Sequence, residues 1–199
     1  RSCAVNWNGE PEAEGVILVC PQTEKGMWWM PRGEARIQAV LRDVRARYHV
    51  DTERVSIGGA SSGGFGVWHN AAKYPWVYRA AVPRCAATPN DPATLANLHD
   101  MPTYLLHGAR DGTISVHHSR RSHRLLTKLG SDVTYREEEG FGHSFMRPRN
   151  MDVLAWLSPK ERTTSEEFTY RTMGRGPAPG RVHFLTVTWG DDYRGGLEL

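Results

Sequence analysis

The chain has 199 residues, of which 39% are hydrophobic and 24% are charged. This composition is typical of one soluble globular domain and excludes a coiled coil, a collagen or a disordered tail. The 25 Lys and Arg against 22 Asp and Glu give a formal net charge of +3, too mild to indicate a nucleic-acid partner, and no apolar run approaches the roughly 20 residues that span a bilayer.

Short apolar runs alternate with longer helical patterns along the chain. We predict strands at residues 15–20, 54–58, 79–83, 102–107 and 133–137, and helices at 34–48, 62–74, 94–98, 116–129 and 151–157. Pro75 and Pro159 end two of the helices, and Gly130 can take the left-handed cap of a third. Strands separated by helices indicate βαβ units, so the predicted fold class is α/β with a mainly parallel sheet flanked by helices.

We interpret residues 1–160 as the one full domain. Residues 161–199 differ from this domain in composition. The segment is charged, then rich in Gly and Pro, then apolar from 182 to 189. Fewer than about 40 residues rarely fold alone, so we predict a short C-terminal β extension with a strand or hairpin.

Three cysteines, Cys3, Cys20 and Cys85, leave at least one thiol unpaired, and the sequence does not predict a disulfide framework. The chain begins at Arg1 rather than Met, which leaves room for a removed signal peptide or a longer N-terminal segment. We favour a secreted or periplasmic location over a cytoplasmic one.

The strongest motif is Gly59-Ala60-Ser61-Ser62-Gly63, which joins a predicted strand to a predicted helix. A serine on such a sharp turn has strained backbone geometry, and we expect Gly59 and Gly63 to prevent clashes as the chain doubles back. The N–H of Ser62 at the helix start is the expected first oxyanion donor. Ser62 is also a rival nucleophile, but Ala60 rather than Gly precedes it by two positions, so we favour Ser61.

A serine nucleophile needs an imidazole base and a carboxylate that orients the imidazole. Asp111 and His143 follow Ser61 in the chain, each just beyond a predicted strand, in the Ser, acid, His order of α/β-hydrolases. Carboxyl ends of parallel strands share one edge, where sites collect. Asp111 also fits an ordinary Asp-Gly turn, and His143 also fits a loop histidine bonded to the backbone.

Two other clusters of charged or titratable residues are weaker candidates for a functional site. His117, His118 and His123 share a basic helix, which we interpret as a solvated face because no Cys or carboxylate at ligand spacing completes a metal site. Residues 137–139, all Glu, are interpreted as a strand end in solvent rather than as a cation site. No metal is expected.

Several blocks resemble the α/β-hydrolase serine esterases related to polyhydroxybutyrate depolymerases, feruloyl esterases and predicted peptidases. These blocks are Cys20-Pro21-Gln22 with Trp28-Trp29, residues 50–55, residues 63–68, Ala81-Val82-Pro83, and the Asp111 and His143 loops. The resemblance covers about residues 16–146 and is most specific from 50 to 68. It implies ester hydrolysis through an acyl-enzyme without a metal or organic cofactor, with Ser61 as nucleophile, His143 as general base and acid, and Asp111 as its orienting partner.

The chain departs from that family before the nucleophile strand. These enzymes normally have further N-terminal strands and a His-Gly loop that supplies a second oxyanion donor, whereas the one His-Gly pair here is His107-Gly108 in the acid loop. If no strand paired with the edge of strand 54–58, buried backbone N–H and C=O groups there would lack hydrogen-bond partners, which destabilises a fold. We call this position beside strand 54–58 the slot. We expect residues 16–20 to fill it, with residues 182–189, a partner chain or missing residues as alternatives. The loop after residue 20 would then supply the second donor near Gln22 or Thr23.

Trp28, Trp29 and Phe141 lie in loops expected at the catalytic edge. They would either clamp an acyl or aryl group or pack under the loops. An aromatic cleft would suit aryl, feruloyl or polyester substrates, so the sequence predicts a serine carboxylesterase acting on a small-molecule or polymeric ester. A peptidase with the same triad and a noncatalytic esterase-like binding module are the alternatives. No membrane partner is expected, and the oligomeric state stays open.

Overall fold

A four-stranded parallel sheet forms the centre of the fold. The structure, a computed structural model, describes residues 3–22, 26–163, 170–171, 173, 180–182 and 185–187. The strands are β1 (Ser56–Ala60), β2 (Ala80–Arg84), β3 (Thr103–Gly108) and β4 (Val133–Glu138), arranged in the order β1-β2-β3-β4. All neighbouring pairs are parallel. Every residue of β2 and β3 is buried, as expected of the inner strands of a parallel sheet covered on both faces. The predicted α/β fold class is confirmed.

Helices cover both faces of this sheet. They are α1 (Cys3–Trp7), α2 (Glu10–Ala13), α3 (Pro31–Arg47), α4 (Ser62–Lys73), α5 (His117–Lys128) and α6 (Asn150–Leu157). One apolar cluster joins α4 and α5 to Ala81 and Leu105. A second cluster on the opposite face joins Tyr104 and Leu106 to Val153 of α6 and Trp7 of α1. The sheet is thus the middle of three layers, and no helix of the described residues has the length and apolar character needed to cross a membrane.

Most predicted elements lie within two or three residues of the observed ones. β1 begins at Ser56 rather than at residue 54 because residues Thr52–Arg54 form a 3-10 turn, capped by the Asp51 carboxylate, which accepts a hydrogen bond from the Glu53 N–H at 3.0 Å. The predicted helix at 94–98 is a 3-10 helix, Pro92–Leu98, begun in the same way by Asp91. Gly130 has the φ of +80° expected of a left-handed cap.

The strand predicted at residues 15–20 is wrong. This segment is irregular, and Val16 and Ile17 are 42% and 51% exposed. The chain turns at Gly15 with φ of +69°, and a disulfide between Cys3 and Cys20 holds the segment against α1. An apolar run of this length does not by itself determine a strand, and here no neighbouring strand of the described residues pairs with it.

The expected filling of the slot beside β1 is therefore also wrong. β1 pairs with β2 alone among the described residues, and its residues are half-buried or exposed rather than buried. The backbone groups at its open edge therefore do not have the free-energy cost of fully buried groups without hydrogen-bond partners. In the C-terminal extension, β5 (Gly180–Val182) and β6 (Leu185–Val187) pair antiparallel in a separate two-stranded sheet. Residues 183–184 and 188–189 of the alternative segment 182–189 lie outside the described residues.

Candidate active site

Ser61 occupies the sharp turn between β1 and α4. Its backbone has φ of 55° and ψ of −121°, a conformation that costs a non-glycine residue on the order of 1–3 kcal/mol. Two hydrogen bonds hold it there: the Ser61 N–H donates to the Arg84 carbonyl at 3.0 Å, and the Ser61 carbonyl accepts from the Phe65 N–H at 3.1 Å. The turn thus fixes the hydroxyl at the carboxyl edge of the sheet and at the start of a helix.

The glycines around Ser61 have different roles. A Cβ on Gly59 would lie 2.6 Å from the backbone of Gly63, and a Cβ on Gly64 would lie 2.7 Å from the Ala86 Cβ. A Cβ on Gly63 would meet nothing within 4 Å. The expectation that Gly59 and Gly63 both relieve crowding is therefore correct for Gly59 and wrong for Gly63, because the helix packs against β2 through Gly64 instead.

Ser61, His143 and Asp111 form a continuous chain of hydrogen bonds. His143 Nε2 lies 2.9 Å from Ser61 Oγ, and His143 Nδ1 lies 2.8 Å from Asp111 Oδ2. An ionised carboxylate only accepts hydrogen bonds, so the proton of the neutral imidazole belongs on Nδ1, and Nε2 presents a lone pair to the serine hydroxyl. The His143 side chain is 25% exposed and the Asp111 side chain is fully buried. The arrangement can move a proton from the hydroxyl to the imidazole.

The loop that carries Asp111 keeps its carboxyl ionised. Oδ1 accepts hydrogen bonds from the N–H groups of Thr113 and Ile114 at 2.9 and 2.8 Å. Burial opposes ionisation, but the hydrogen bonds from Ile114, His143 and Thr113 outweigh it and lower the pKa of Asp111 to about 2. The buried charge can therefore stabilise an imidazolium on His143 at neutral pH.

His107 is a second imidazole on Asp111 that the sequence analysis did not assign to the site. Its Nε2 lies 2.9 Å from the Ile114 carbonyl oxygen and 3.1 Å from Asp111 Oδ2, and its Nδ1 lies 2.7 Å from Ser119 Oγ. Both neighbours of Nε2 are acceptors, so the proton belongs there. The available signal was its position at a strand end, four residues before the acid.

Cys85 is a further neighbour of the site that sequence reasoning missed. It follows β2 with a positive φ of 45°, is 1% exposed, and its Sγ lies 3.3 Å from the Ser144 carbonyl oxygen. Burial raises the pKa of its thiol, so the protonated form is favoured. Its Sγ belongs to a buried cluster with His107 and Asp111, in which one potential ligand atom of each residue lies within 4.8 Å of the other two.

The two expected oxyanion donors, Ser62 and Gln22, differ in their surroundings. Ser62 is the first residue of α4, where N–H groups have no acceptor within the helix, and this suits the predicted role. Gln22 is exposed, and its carbonyl oxygen accepts a hydrogen bond from Arg36 Nε at 3.2 Å. Thr23 lies outside the described residues. The donor roles of Ser62 and Gln22 stay predictions.

The contacts of the three aromatic residues match the packing alternative. Trp28 lies against α4, where a Cβ on Gly66 would meet its Cβ at 2.4 Å. Trp29 contacts Phe65 edge-on, with ring centroids 5.1 Å apart, one turn of helix beyond Ser61. Phe141 packs against the second apolar cluster. A role of these rings in substrate binding stays a prediction.

Glu137 and Glu138 differ from a strand end in solvent, whereas His117, Arg121 and Arg124 of the basic helix are exposed, as expected of a solvated face. Arg120 of α5 pairs with Glu137 at 2.8 Å, and that hydrogen bond is the main cause that lowers the pKa of Glu137 to about 2. Glu138 is 9% exposed and pairs with Arg149 at 2.7 and 2.8 Å. The interpretation of Glu137 and Glu138 as a strand end in solvent is therefore wrong, because both carboxylates hold arginines of neighbouring elements.

Comparison with known proteins points to ester hydrolases. The sequence model of the phospholipase/carboxylesterase family matches residues 32–159, which include Ser61, Asp111 and His143. An uncharacterized secreted protein of Arthroderma benhamiae is 31% identical over 126 residues, covering 49% of this chain and 14% of that protein. The crystal structure of a thermostable esterase matches with a TM-score of 0.61 and 26% identity over 66% of this chain and 37% of the esterase. Esterase PE8 matches with a TM-score of 0.55 and 19% identity over 69% and 66% of the two chains. The chain thus spans a seventh of the secreted relative and about a third of the thermostable esterase.

Proposed function

Because the chain belongs to the phospholipase/carboxylesterase family of α/β-hydrolases, we propose that it is a serine carboxylesterase that acts through an acyl-enzyme on Ser61. The observation that carries this proposal is the chain of hydrogen bonds from Ser61 through His143 to Asp111, at 2.9 and 2.8 Å. These distances are within the range in which a base activates a nucleophile.

In the proposed reaction, Ser61 Oγ attacks the ester carbonyl while His143 Nε2 takes its proton. Asp111 stabilises the resulting imidazolium, and the N–H of Ser62 with the N-terminus of α4 stabilises the oxyanion. His143 then returns the proton to the leaving alcohol, and a water molecule activated by the same imidazole releases the acid. The strand at residues 16–20 from which the Gln22 donor was predicted is not observed, so the proposed reaction uses the Ser62 donor. With a single donor the enzyme would be slower by about a hundredfold to a thousandfold.

The substrate class that we propose is a carboxylic ester with an aryl, feruloyl or polyester acyl part. Phe65 lies one helical turn after Ser61 in α4, and Trp29 contacts its ring; aromatic rings that line a cleft beside the hydroxyl would favour flat or apolar acyl groups. A panel of p-nitrophenyl, feruloyl and short polyester substrates tests this preference. Equal kcat/KM values for all of these esters, unchanged in the Trp29→Ala variant, would show that the aromatic residues do not determine the substrate preference.

Substitution of the nucleophile tests the mechanism. We expect Ser61→Ala and His143→Ala to lower kcat on p-nitrophenyl acetate by about 10⁴-fold or more while circular dichroism shows an intact fold. Ser62→Ala is the matched control: it keeps the backbone N–H, so it should retain activity and labelling by a fluorophosphonate. Full activity of Ser61→Ala would refute the assignment.

The same reagents separate the alternatives. A noncatalytic binding module has no activated serine and would not react with the fluorophosphonate. A peptidase would be labelled but would also cleave peptide amides, whose leaving groups require stronger protonation and oxyanion support. Labelling of Ser61 with turnover of esters and not of peptides is the result that we expect.

We also propose that the protein works in an oxidising compartment. The Cys3–Cys20 disulfide is of the kind that persists outside the cytosol, and the relative from Arthroderma benhamiae is described as secreted. In protein isolated from its native source without reducing agent, Cys85 should therefore be the one free thiol within residues 1–199 when thiols are alkylated after denaturation and located by peptide mapping. Three free thiols would contradict the proposal.

A further inference from the structure

The carboxylate of Asp111 belongs to a buried cluster with two side chains that have no role in the proposed esterase reaction, Cys85 and His107. Cys85, His107 and Asp111 are 1%, 0% and 9% exposed, and one potential ligand atom from each lies within 4.8 Å of the other two. Thiolate, imidazole and carboxylate are the ligands that zinc binds in proteins. We propose that this cluster is an inhibitory site for a soft divalent cation such as Zn²⁺ or Cd²⁺, which acts by withdrawing Asp111 from His143. The inhibitory part of the proposal rests on the proposed function.

The spacing of two of the ligands already suits one ion. His107 Nε2 and Asp111 Oδ2 are 3.1 Å apart. Two ligand atoms at about 2.0–2.1 Å from one tetrahedral zinc are about 3.3 Å apart. His107 belongs to β3 and Cys85 follows the end of β2 directly. Two of the three ligands are thus held by the inner strands of the sheet, so little ordering is needed on binding.

The surroundings supply the partners that a zinc ligand needs. A metal-bound imidazole donates its other ring N–H to an oxygen that fixes its orientation. His107 Nδ1 lies 2.7 Å from Ser119 Oγ, a hydroxyl that can accept this proton. Asp111 Oδ1 is held by the N–H groups of Thr113 and Ile114, which leaves Oδ2 for the ion.

Binding changes bonds and protons in a defined way. Bonds form from the ion to Cys85 Sγ, His107 Nε2 and Asp111 Oδ2, and no electron is transferred. The Cys85 thiol releases its proton to solvent, and the His107 proton moves from Nε2 to Nδ1. The hydrogen bond from His107 Nε2 to the Ile114 carbonyl oxygen, 2.9 Å in the structure, is broken, and the ion takes the place of that N–H beside Asp111 Oδ2. The ion draws the negative charge of Asp111 away from His143, whose Nδ1 lies 2.8 Å from the same oxygen. The two negative charges of thiolate and carboxylate then balance the ion, which makes its burial tolerable.

The withdrawal of the Asp111 charge from His143 explains why the ion would inhibit. Asp111 sets the tautomer of His143 and stabilises its cation, and in the Ser-His-Asp enzymes loss of this function lowers kcat by about 10⁴-fold. The fully liganded protein should therefore have almost no esterase activity. Neither Ser61 nor its turn needs to move.

A cadmium titration of the folded, unreduced protein tests the site directly. Cys3 and Cys20 are paired, so Cys85 is the one free thiol among the three cysteines of the chain. Any ultraviolet charge-transfer band of a cadmium–thiolate bond must then come from Cys85. We expect the band to saturate at one Cd²⁺ per chain, and Zn²⁺ to abolish esterase activity with the same stoichiometry.

Two variants make the test specific. Cys85→Ser should lose the band and should need at least about tenfold to a hundredfold more Zn²⁺ for half inhibition, with Cys85→Ala as the second variant if the serine protein does not fold. His117→Ala removes an exposed histidine of α5 and should respond as the wild type does. Absence of the band in the folded protein, or equal inhibition of wild type and Cys85→Ser, overturns the proposal. A band without any Ser61-dependent esterase activity supports the metal site and refutes the proposed function, so the two failures are distinguishable.

Discussion

Asp111 is the residue on which the contacts of the site converge. Its two oxygens face the N–H groups of Thr113 and Ile114 and the ring nitrogens of His143 and His107. A buried carboxylate with so many donors is strongly held in its charged form. The same contacts therefore serve the chemistry on His143 and the stability of the loop.

The charge of Asp111 should be visible in the pH dependence of folding. The pKa of Asp111 is lowered from 3.8 to about 2, so ionisation favours the folded state. This contributes about 2 kcal/mol to the free energy of unfolding, fully present above the pKa of the unfolded chain and lost as the pH falls towards 2. We expect Asp111→Asn to be less stable than wild type at pH 7, with a gap that narrows below about pH 4. Urea unfolding at several pH values measures it.

A surface acid provides the control for this experiment. Asp43 pairs with Arg47 on the exposed side of α3, with both side chains more than half exposed, and such pairs contribute little. Asp43→Asn should therefore follow wild type at every pH. A gap for Asp111→Asn that stays constant from pH 7 to 3 would mean that its charge is not the cause.

The three residues of the hydrogen-bonded chain could be proposed from the sequence because each has a local signal. Ser61 has its glycine turn, and Asp111 and His143 follow strands of an ordered α/β pattern. His107 has only its position at a strand end, four residues before Asp111, and Cys85 has no such signal. The position of Cys85 beside His107 and Asp111 depends on β2 lying directly next to β3, and hydrophobic periodicity does not predict the order of strands in a sheet.

At the scale of elements, the strands of the central parallel sheet were the predictable part. β2, β3 and β4 are bounded by turns and helices, and their apolar residues have partners on both faces. The run at 15–20 has the same composition but no strand to pair with among the described residues. An apolar pattern indicates which residues are buried, but it does not indicate whether another strand lies beside them to form a sheet. The disulfide that holds this segment could not be predicted either, because three cysteines allow three pairings.

The turn before α4 gives a prediction at this scale. Gly59→Ala would place a methyl group 2.6 Å from the Gly63 backbone, whereas Gly63→Ala would place one in open space. Overpacking of this kind typically costs about 1–3 kcal/mol. We expect Gly59→Ala to lower the free energy of unfolding by that amount and to reduce esterase turnover, since the turn fixes Ser61. Gly63→Ala is the matched control and should be close to wild type in both respects. Equal effects of the two substitutions would show that the turn is not crowded.

At the scale of the whole molecule, the N-terminal segment forms part of the wall behind the His143 loop. Arg84 is 1% exposed, and its guanidinium lies 5.0 Å from the Trp7 ring and 4.2 Å from the Phe145 ring. It donates hydrogen bonds to the Phe145 carbonyl and to Asn150 Oδ1 at 2.8 and 2.9 Å. Burial lowers the pKa of Arg84 to about 10. The residues next to His143 are therefore held partly by α1, far away in sequence.

Removing the Cys3–Cys20 disulfide should test this connection. The bridge joins residues 17 positions apart, and closing a loop of that length stabilises a folded chain by about 3 kcal/mol in the chain-entropy model. We expect Cys3→Ser/Cys20→Ser to lower the free energy of unfolding by up to that amount. We also expect esterase activity to be lost at a lower temperature than in wild type, because Trp7 would no longer be held against Arg84 and Phe145.

Reduction of the native protein provides the independent arm of the same experiment. Mild dithiothreitol should shift the thermal unfolding and inactivation of wild type towards those of the double serine variant, and should leave the variant unchanged because its remaining cysteine, Cys85, is buried. Trp7→Ala with the bridge intact should lower the inactivation temperature as well, since it removes the ring that covers Arg84 while leaving the loop closed. If the bridge-free variant loses stability but inactivates at the wild-type temperature, the N-terminal segment stabilises the fold without supporting the His143 loop.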